Sequence, residues 1–128
     1  MSAADFPEQL KALDATLRNI ENVLDVDKLR RDKAELEEQA SAPDLWDDQA
    51  RAQEVNSRLS YLSGEISRME RLRQRIDDAE LLLEMAQEAG DEGSVAEVGQ
   101  ELVSLSKAVE EMEAVSYTHL TLPTNREV

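Results

Sequence analysis

The chain has 128 residues, of which 34% are charged and only 3% aromatic, so its composition favours thin helical packing over a thick globular core. A net charge of −15 repels bare nucleic acid phosphate, and any RNA-rich partner should therefore be met through its proteins. Cysteine is absent, which excludes disulfides and thiolate metal sites, and neither a membrane span nor a signal peptide is recognisable, so we expect a cytoplasmic chain that does not enter a membrane.

Two short helices are predicted first. Asp5 is a typical cap, and apolar residues then recur at helical spacing, which predicts a first helix from Phe6 to Leu24. Either aspartate of Asp25-Val-Asp27 can cap a second helix from Lys28 to about Gln39. The apolar face of that second helix is so thin that it must lean on a neighbour to be stable.

A long helix is predicted from Asp48 to Ala89. Pro43 stops the preceding helix, and the aspartates between Asp44 and Asp48 suit a new helix start. The apolar residues that follow step by three and four, as in a heptad seam. They are Val55, Leu59, Leu62, Ile66, Met69, Leu72, Ile76, Ala79 and Leu83. At 1.5 Å per residue the helix would be roughly 63 Å long, too long for a compact ball of this size.

The chain is predicted to turn back at Gly90-Asp-Glu-Gly93. Gly90 suits a left-handed helix cap, and Ser94-Val-Ala-Glu97 has the pattern of a capping box that starts the next helix. A second seam follows at Val95, Val98, Leu102, Leu105, Val109 and Met112. A loop this short makes the two helices antiparallel neighbours, so the predicted fold is all-α, a helical bundle with a long antiparallel coiled-coil-like hairpin.

The segment from Ser116 to Val128 differs from everything before it. It is rich in threonine, contains Pro123 and lacks acidic helical patterning, and it resembles a translated sequencing adapter or cloning sequence more than a natural strand or tail. We therefore divide the chain into a helical domain, residues 1–115, and a tail, residues 116–128. His119 falls inside this tail and is assigned no function.

No constellation for catalysis is recognisable. The sequence has no glycine-rich phosphate loop, no nucleophile with a histidine partner and no histidine pair for a metal. Its adjacent acid pairs point about 100° apart on a helix, so they indicate a solvated face. We expect a protein that is not an enzyme and has no cofactor or metal.

Four residues are candidates for binding a partner: Trp46, Arg68, Arg71 and Arg75. Trp46 either closes a corner of the core, folded back over the first turn, or is a partner-binding hot spot, and both can hold at once. The arginines, with Arg73 among them, form either an interaction patch or a set of ion pairs. The expected ion-pair partners are Glu70, Asp77, Asp78 and acids of the facing helix.

Several segments together resemble the bacterial peptide chain release factors. They are Val26-Asp-Lys-Leu-Arg30, Ala34-Glu-Leu-Glu-Glu-Gln-Ala40, Pro43-Asp-Leu-Trp-Asp-Asp-Gln-Ala-Arg-Ala-Gln-Glu-Val55 and Leu59-Ser-Tyr-Leu62. The proline, tryptophan and paired aspartates of 43–48 are more similar to the type 2 factors, which read UAA and UGA, than to the sister type that reads UAG. The similarity covers Phe6 to about Val115.

The resemblance implies the N-terminal helical domain of a monomeric, ribosome-binding termination factor. In that family this domain reaches toward the factor-binding stalk region of the large subunit, where it would meet ribosomal proteins, and the same reach could touch the companion GTPase. The family's Gly-Gly-Gln and Ser-Pro-Phe tripeptides do not occur here, so we expect a chain truncated near Val115 that neither decodes nor releases a peptide by itself. The alternative is a free-standing coiled-coil adaptor that dimerises through the two seams.

Overall fold

A computed structural model of the chain describes the backbone of residues 3–121 and the side chains of residues 3–116. Helices account for almost all of that stretch. They are a 3-10 turn at Ala3–Asp5, α1 at Phe6–Leu24, α2 at Val26–Ala40, a second 3-10 turn at Pro43–Asp47, α3 at Gln49–Ala89 and α4 at Glu92–Thr121. No strand occurs between residues 3 and 121, and the predicted all-α class is confirmed.

The chain forms two compact units. The first contains α1, the part of α3 from Arg71 onward, and α4, and the second is Leu24–Glu70.

In the first unit, apolar residues of three helices form the core. Leu17 and Ile20 of α1, Ile76 of α3, and Leu102 and Leu105 of α4 are all completely shielded from solvent. The bounds of α1 match the prediction. The predicted seam residues of α4 from Val98 to Val109 are buried, whereas Val95 and Met112 at its ends are half-buried.

The hairpin between α3 and α4 is closed by backbone hydrogen bonds around Gly90. Gly90 has a φ of 67°, and its N–H donates to the carbonyl of Gln87, while the N–H of Asp91 donates to the carbonyl of Ala86 at 2.9 Å. This pair of bonds is a Schellman motif, which satisfies carbonyls at the end of α3 and reverses the chain. The glycine stop predicted at this position is confirmed.

The start of α4 differs from the prediction. The helix begins at Glu92, and the carboxylate of Asp91 accepts hydrogen bonds from the Ser94 N–H at 3.1 Å and the Ser94 hydroxyl at 2.8 Å. Asp91 is therefore the capping residue, and the capping box assigned to Ser94 is wrong. Because Gly90 already reverses the chain, the next residue is in position to cap, and it has the acceptor side chain that capping requires.

Phe6 holds the start of α1 against α4 within the first unit. A Cβ atom placed on Gly99 of α4 would lie 2.8 Å from Cζ of the Phe6 ring, so the ring rests directly on the glycine backbone. Phe6 itself is 6% exposed.

In the second unit, α2 packs on the first part of α3. Its core consists of Leu36, Leu45, Ala52, Val55 and Leu62. Partly buried against them are Leu29, Ala40, Ala42 and Leu59. Helix α3 is therefore the neighbour that the thin apolar face of α2 requires. Of the two aspartates that could cap α2, Asp25 does so: it has a left-handed φ of 51° and accepts the Lys28 N–H, which lets the helix begin at Val26.

Helix α4 continues across the boundary that we placed between residues 115 and 116. It extends to Thr121, and Ser116 is 3% exposed. The side chain of His119 and the whole of residues 122–128, including Pro123, lie outside the described residues. The foreign origin of this segment stays a prediction.

Candidate functional site

Trp46 lies on the 3-10 turn Pro43–Asp47 in the second unit. Its side chain is 61% exposed, whereas its neighbour Leu45 is 5% exposed and belongs to the core of that unit. The expectation that Trp46 closes a corner of the core is therefore wrong. Consecutive side chains of a 3-10 helix point about 120° apart, so burying Leu45 turns Trp46 outward.

The aspartates around Trp46 have different tasks. Asp48 caps α3, because its carboxylate accepts the N–H of Arg51 at 3.1 Å. Asp44 and Asp47 are exposed, and neither carboxylate forms an ion pair with any residue that the structure describes. Two unengaged negative charges thus flank an exposed indole.

Two of the candidate arginines are held in ion pairs. Arg68 pairs with Glu65 on its own helix. Arg75 donates to both carboxylate oxygens of Glu101 on α4, at 3.0 and 3.2 Å, and to the Ser104 hydroxyl at 2.9 Å. Pairing with an acid of the facing helix is thus confirmed for Arg75, whereas Arg68 pairs within its own helix and its side chain is 55% exposed.

Two of the predicted acids on the arginines' own helix, Glu70 and Asp78, have other partners. Glu70 pairs with Arg30 of α2 at 3.2 Å, and Asp78 accepts a hydrogen bond from Gln74 at 2.8 Å. Arg71 is the remaining candidate. It is exposed and makes no ion pair within the described part of the chain, so no ion pair has to be broken before it contacts a partner.

Arg73 joins α3 to α1 within the first unit. Its guanidinium donates to Asp14 and, at 3.1 Å, to Glu21, and the side chains of all three are largely shielded from solvent. The sequence offered a signal for this bridge that we did not use: Asp14 and Glu21 are seven residues apart and therefore share one face of α1.

The same cluster shifts two carboxyl pKa values in opposite directions. Partial burial of Asp14 raises its pKa, but hydrogen bonds from Arg18 and Arg73 outweigh this and lower it overall. Burial raises the pKa of Glu80, and the nearby charges of Asp14 and Asp77 raise it further. The charges of Arg73 and Arg18 lower the pKa of Glu80, but burial and the two acids outweigh them.

Among the residues that the structure describes, no group of three or more histidine, cysteine or acidic side chains could hold a metal ion. A surface depression of about 440 Å³ in the first unit is lined by residues that include Arg75, Ala79 and Glu101, and Arg75 and Glu101 are already paired with each other. Within residues 3–121, no helix is both long and apolar enough to cross a membrane.

Comparison with known proteins gives the family. The model of the PCRF domain matches residues 29–127 of this chain, which is well over half of it. The chain belongs to the PCRF-domain family.

Relatives of this PCRF-domain chain include proteins named peptide chain release factor 2. The protein from Salinispora tropica is 63% identical over 113 residues, which are 88% of this chain and 30% of the relative. Those from Streptomyces avermitilis and Mycolicibacterium smegmatis are 51% and 50% identical, over 88% and 85% of this chain and 31% and 30% of their own lengths. The resemblance to bacterial release factors is thus confirmed, and the chain spans about three tenths of the length of these relatives.

Proposed function

We propose that this chain is the N-terminal ribosome-docking domain of a class I release factor that directs translation termination at UAA and UGA codons in the cytoplasm. The observation that carries the proposal is the match to proteins named peptide chain release factor 2, at 63% identity over 113 residues. Codon reading and peptide release belong, in this proposal, to other parts of a longer protein.

The described surface suits a docking element better than a reaction centre. Both seams are buried within one chain, which makes the helices rigid supports for what they display. The net charge of −15 disfavours direct contact with ribosomal RNA and favours basic ribosomal proteins. We therefore propose the stalk region of the large subunit, contacted through its proteins, as the docking position, and the companion release-factor GTPase as a second contact.

A sedimentation assay tests the docking. The chain is mixed with purified large or small ribosomal subunits, and each mixture is pelleted through a cushion. We expect the chain to pellet with large subunits at low salt and to be released as the ionic strength rises, because the contact joins acidic to basic protein. A chain that stays in the supernatant with both subunits would refute the proposal.

A chimaera tests whether this chain is the N-terminal domain of a release factor of this kind. Residues 6–115 of this chain replace the matching segment of the Salinispora tropica relative, and peptide release is measured on ribosomes programmed with each stop codon. Because codon reading belongs in this proposal to other parts of the protein, we expect the chimaera to release peptide at the same stop codons as the relative itself. No release at any stop codon from a folded chimaera would contradict the proposal.

The alternative of a free-standing adaptor that dimerises through its seams loses support from the fold. Most residues of the two seams are already buried inside a single chain, including Ile76, Leu102 and Leu105 at 0% exposure. A dimer built on these seams would first have to open the chain. We therefore propose a monomer, whose sedimentation at micromolar concentration should give the chain mass of 14.4 kDa.

A further inference from the structure

Trp46 is exposed although its neighbour Leu45 is buried in the core of the second unit. Single exposed apolar residues are common on protein surfaces, so exposure alone is not a site. Trp46 differs from the exposed Leu81, Met85 and Val103, which are aliphatic and lie on regular helices, because it is aromatic and lies on a short turn whose next residue caps α3.

The turn that carries Trp46 is anchored on both sides. The N–H of Leu45 donates to the carbonyl of Ala42 at 3.2 Å, and the carbonyl of Leu45 accepts the N–H of Asp48 at 3.0 Å. The Leu45 side chain is fixed in the core of the second unit, and Asp48 is committed to capping α3. A partner would therefore meet an indole whose backbone is already ordered, which lowers the entropic cost of binding.

The charges around Trp46 select the chemistry of that partner. Asp44 and Asp47 are three residues apart, and side chains with this spacing eclipse each other in a 3-10 helix. This spacing places both residues on one edge of the turn, and neither carboxylate forms an ion pair with a residue that the structure describes. The face of an indole attracts cations, and a guanidinium can stack on it while it donates N–H groups to carboxylates. A polyanion would meet repulsion at the same place.

We propose that Trp46, Asp44 and Asp47 form a docking surface for an arginine-bearing basic segment of a protein. One guanidinium of the segment stacks on the indole, and further basic groups of the same segment meet the two carboxylates, which lie about 120° around the turn from the indole. This inference deepens the proposed function and rests on it only for the ribosomal origin of the partner. The surface itself is a property of the turn.

The full 128-residue chain allows a direct test, because Trp46 is its only tryptophan and its fluorescence reports on this position alone. The probe is a short peptide of alternating arginine and alanine, titrated at low salt. We expect a saturable change in emission and an affinity that falls at least about tenfold in the D44N/D47N double variant. A matched peptide of alternating glutamate and alanine should leave the emission unchanged.

Three results of this titration would overturn the inference. The first is an emission unaffected by the arginine peptide, and the second is equal affinity in wild type and D44N/D47N. The third is the same response from N-acetyl-tryptophanamide, since the folded turn would then add nothing. Tighter binding of a ribosomal RNA oligonucleotide at Trp46 would likewise overturn it, because the partner class would be wrong.

Calorimetry supplies a readout that does not depend on fluorescence. Trp46→Ala should weaken peptide binding at least about tenfold, whereas Val103→Ala, a change at a residue that is 62% exposed in the other unit, should leave it unchanged. The subunit-pelleting assay then separates the two proposals. If Trp46→Ala loses peptide binding but pellets with large subunits as well as wild type does, the ribosomal origin of the partner is overturned and ribosome docking stands. If wild type does not pellet but binds the peptide as described, docking fails and the inference stands.

Discussion

Leu102 on α4 is the position at which the buried seam can be tested most sharply. It is 0% exposed, and the seam residues one turn away on either side, Val98 and Leu105, are also 0% exposed. Leu102→Ala removes three carbon groups from a packed core, which at about 0.8 kcal/mol per buried methylene costs about 2.4 kcal/mol in transfer free energy. The cavity left behind adds to this, so we expect a loss of about 2 to 5 kcal/mol in the free energy of unfolding.

Urea unfolding followed by far-UV circular dichroism measures this loss. The matched control is Val103→Ala, because Val103 is the next residue of the same helix and is 62% exposed. Its unfolding free energy should change by less than about 0.5 kcal/mol. A Leu102→Ala variant that loses less than about 1 kcal/mol, or a Val103→Ala variant that loses as much as Leu102→Ala, would show that the seam has been assigned to the wrong face of α4.

Three further predictions concern single side chains, each checked by urea unfolding. Gly64→Ala should stabilise the chain by about 1 kcal/mol, since a Cβ atom there meets nothing within 4 Å. Gly90→Ala should destabilise it by about 1 to 2 kcal/mol, because Gly90 has a φ of 67°, which alanine adopts only with strain. Equal effects of the two substitutions would contradict this. Arg73→Met should lower the free energy of unfolding by about 1 to 3 kcal/mol and Arg68→Met by less than about 0.5 kcal/mol, because of these two arginines only Arg73 bridges two helices. A larger loss for Arg68→Met than for Arg73→Met would refute the role of Arg73. Burial and neighbouring carboxylates raise the pKa of Glu80, so Glu80→Gln should stabilise the chain at pH 7. This gain in stability should vanish as the pH falls below 4.5, the ordinary pKa of a glutamate, because the carboxyl is then protonated in the folded and the unfolded chain alike. A gain that does not depend on pH would contradict this.

The buried faces of the long helices were predictable because they depend on the spacing of apolar residues along the sequence. The steps of three and four residues identified which positions of α3 and α4 are buried, and every predicted seam residue of α3 is buried except Leu59, which is half-buried. Gly90 was predictable for a local reason, since a left-handed helix cap favours glycine. Predicted α3 began at Asp48, and the observed helix begins one residue later.

The candidate site was less predictable, because it depends on choices between neighbouring residues. Leu45 and Trp46 are both apolar, and which of them is buried follows from how the 3-10 turn is set against the core of the second unit. Asp91 and Ser94 both suit a helix cap, and the choice follows from the position of Gly90. Arg73 finds its partners 52 and 59 residues away in the sequence, and a helical pattern shows which face is polar but not which helix it meets.

Inhibition of a complete release factor tests the central claim most directly, namely that this chain docks on the ribosome without releasing a peptide. Ribosomes programmed with UGA are supplied with the Salinispora tropica relative, and increasing amounts of this chain are added. The account predicts that the chain alone releases no peptide and that, in excess, it slows release by the relative through competition for the large subunit. Undiminished release at a large excess of folded chain, or release by the chain alone, would contradict it.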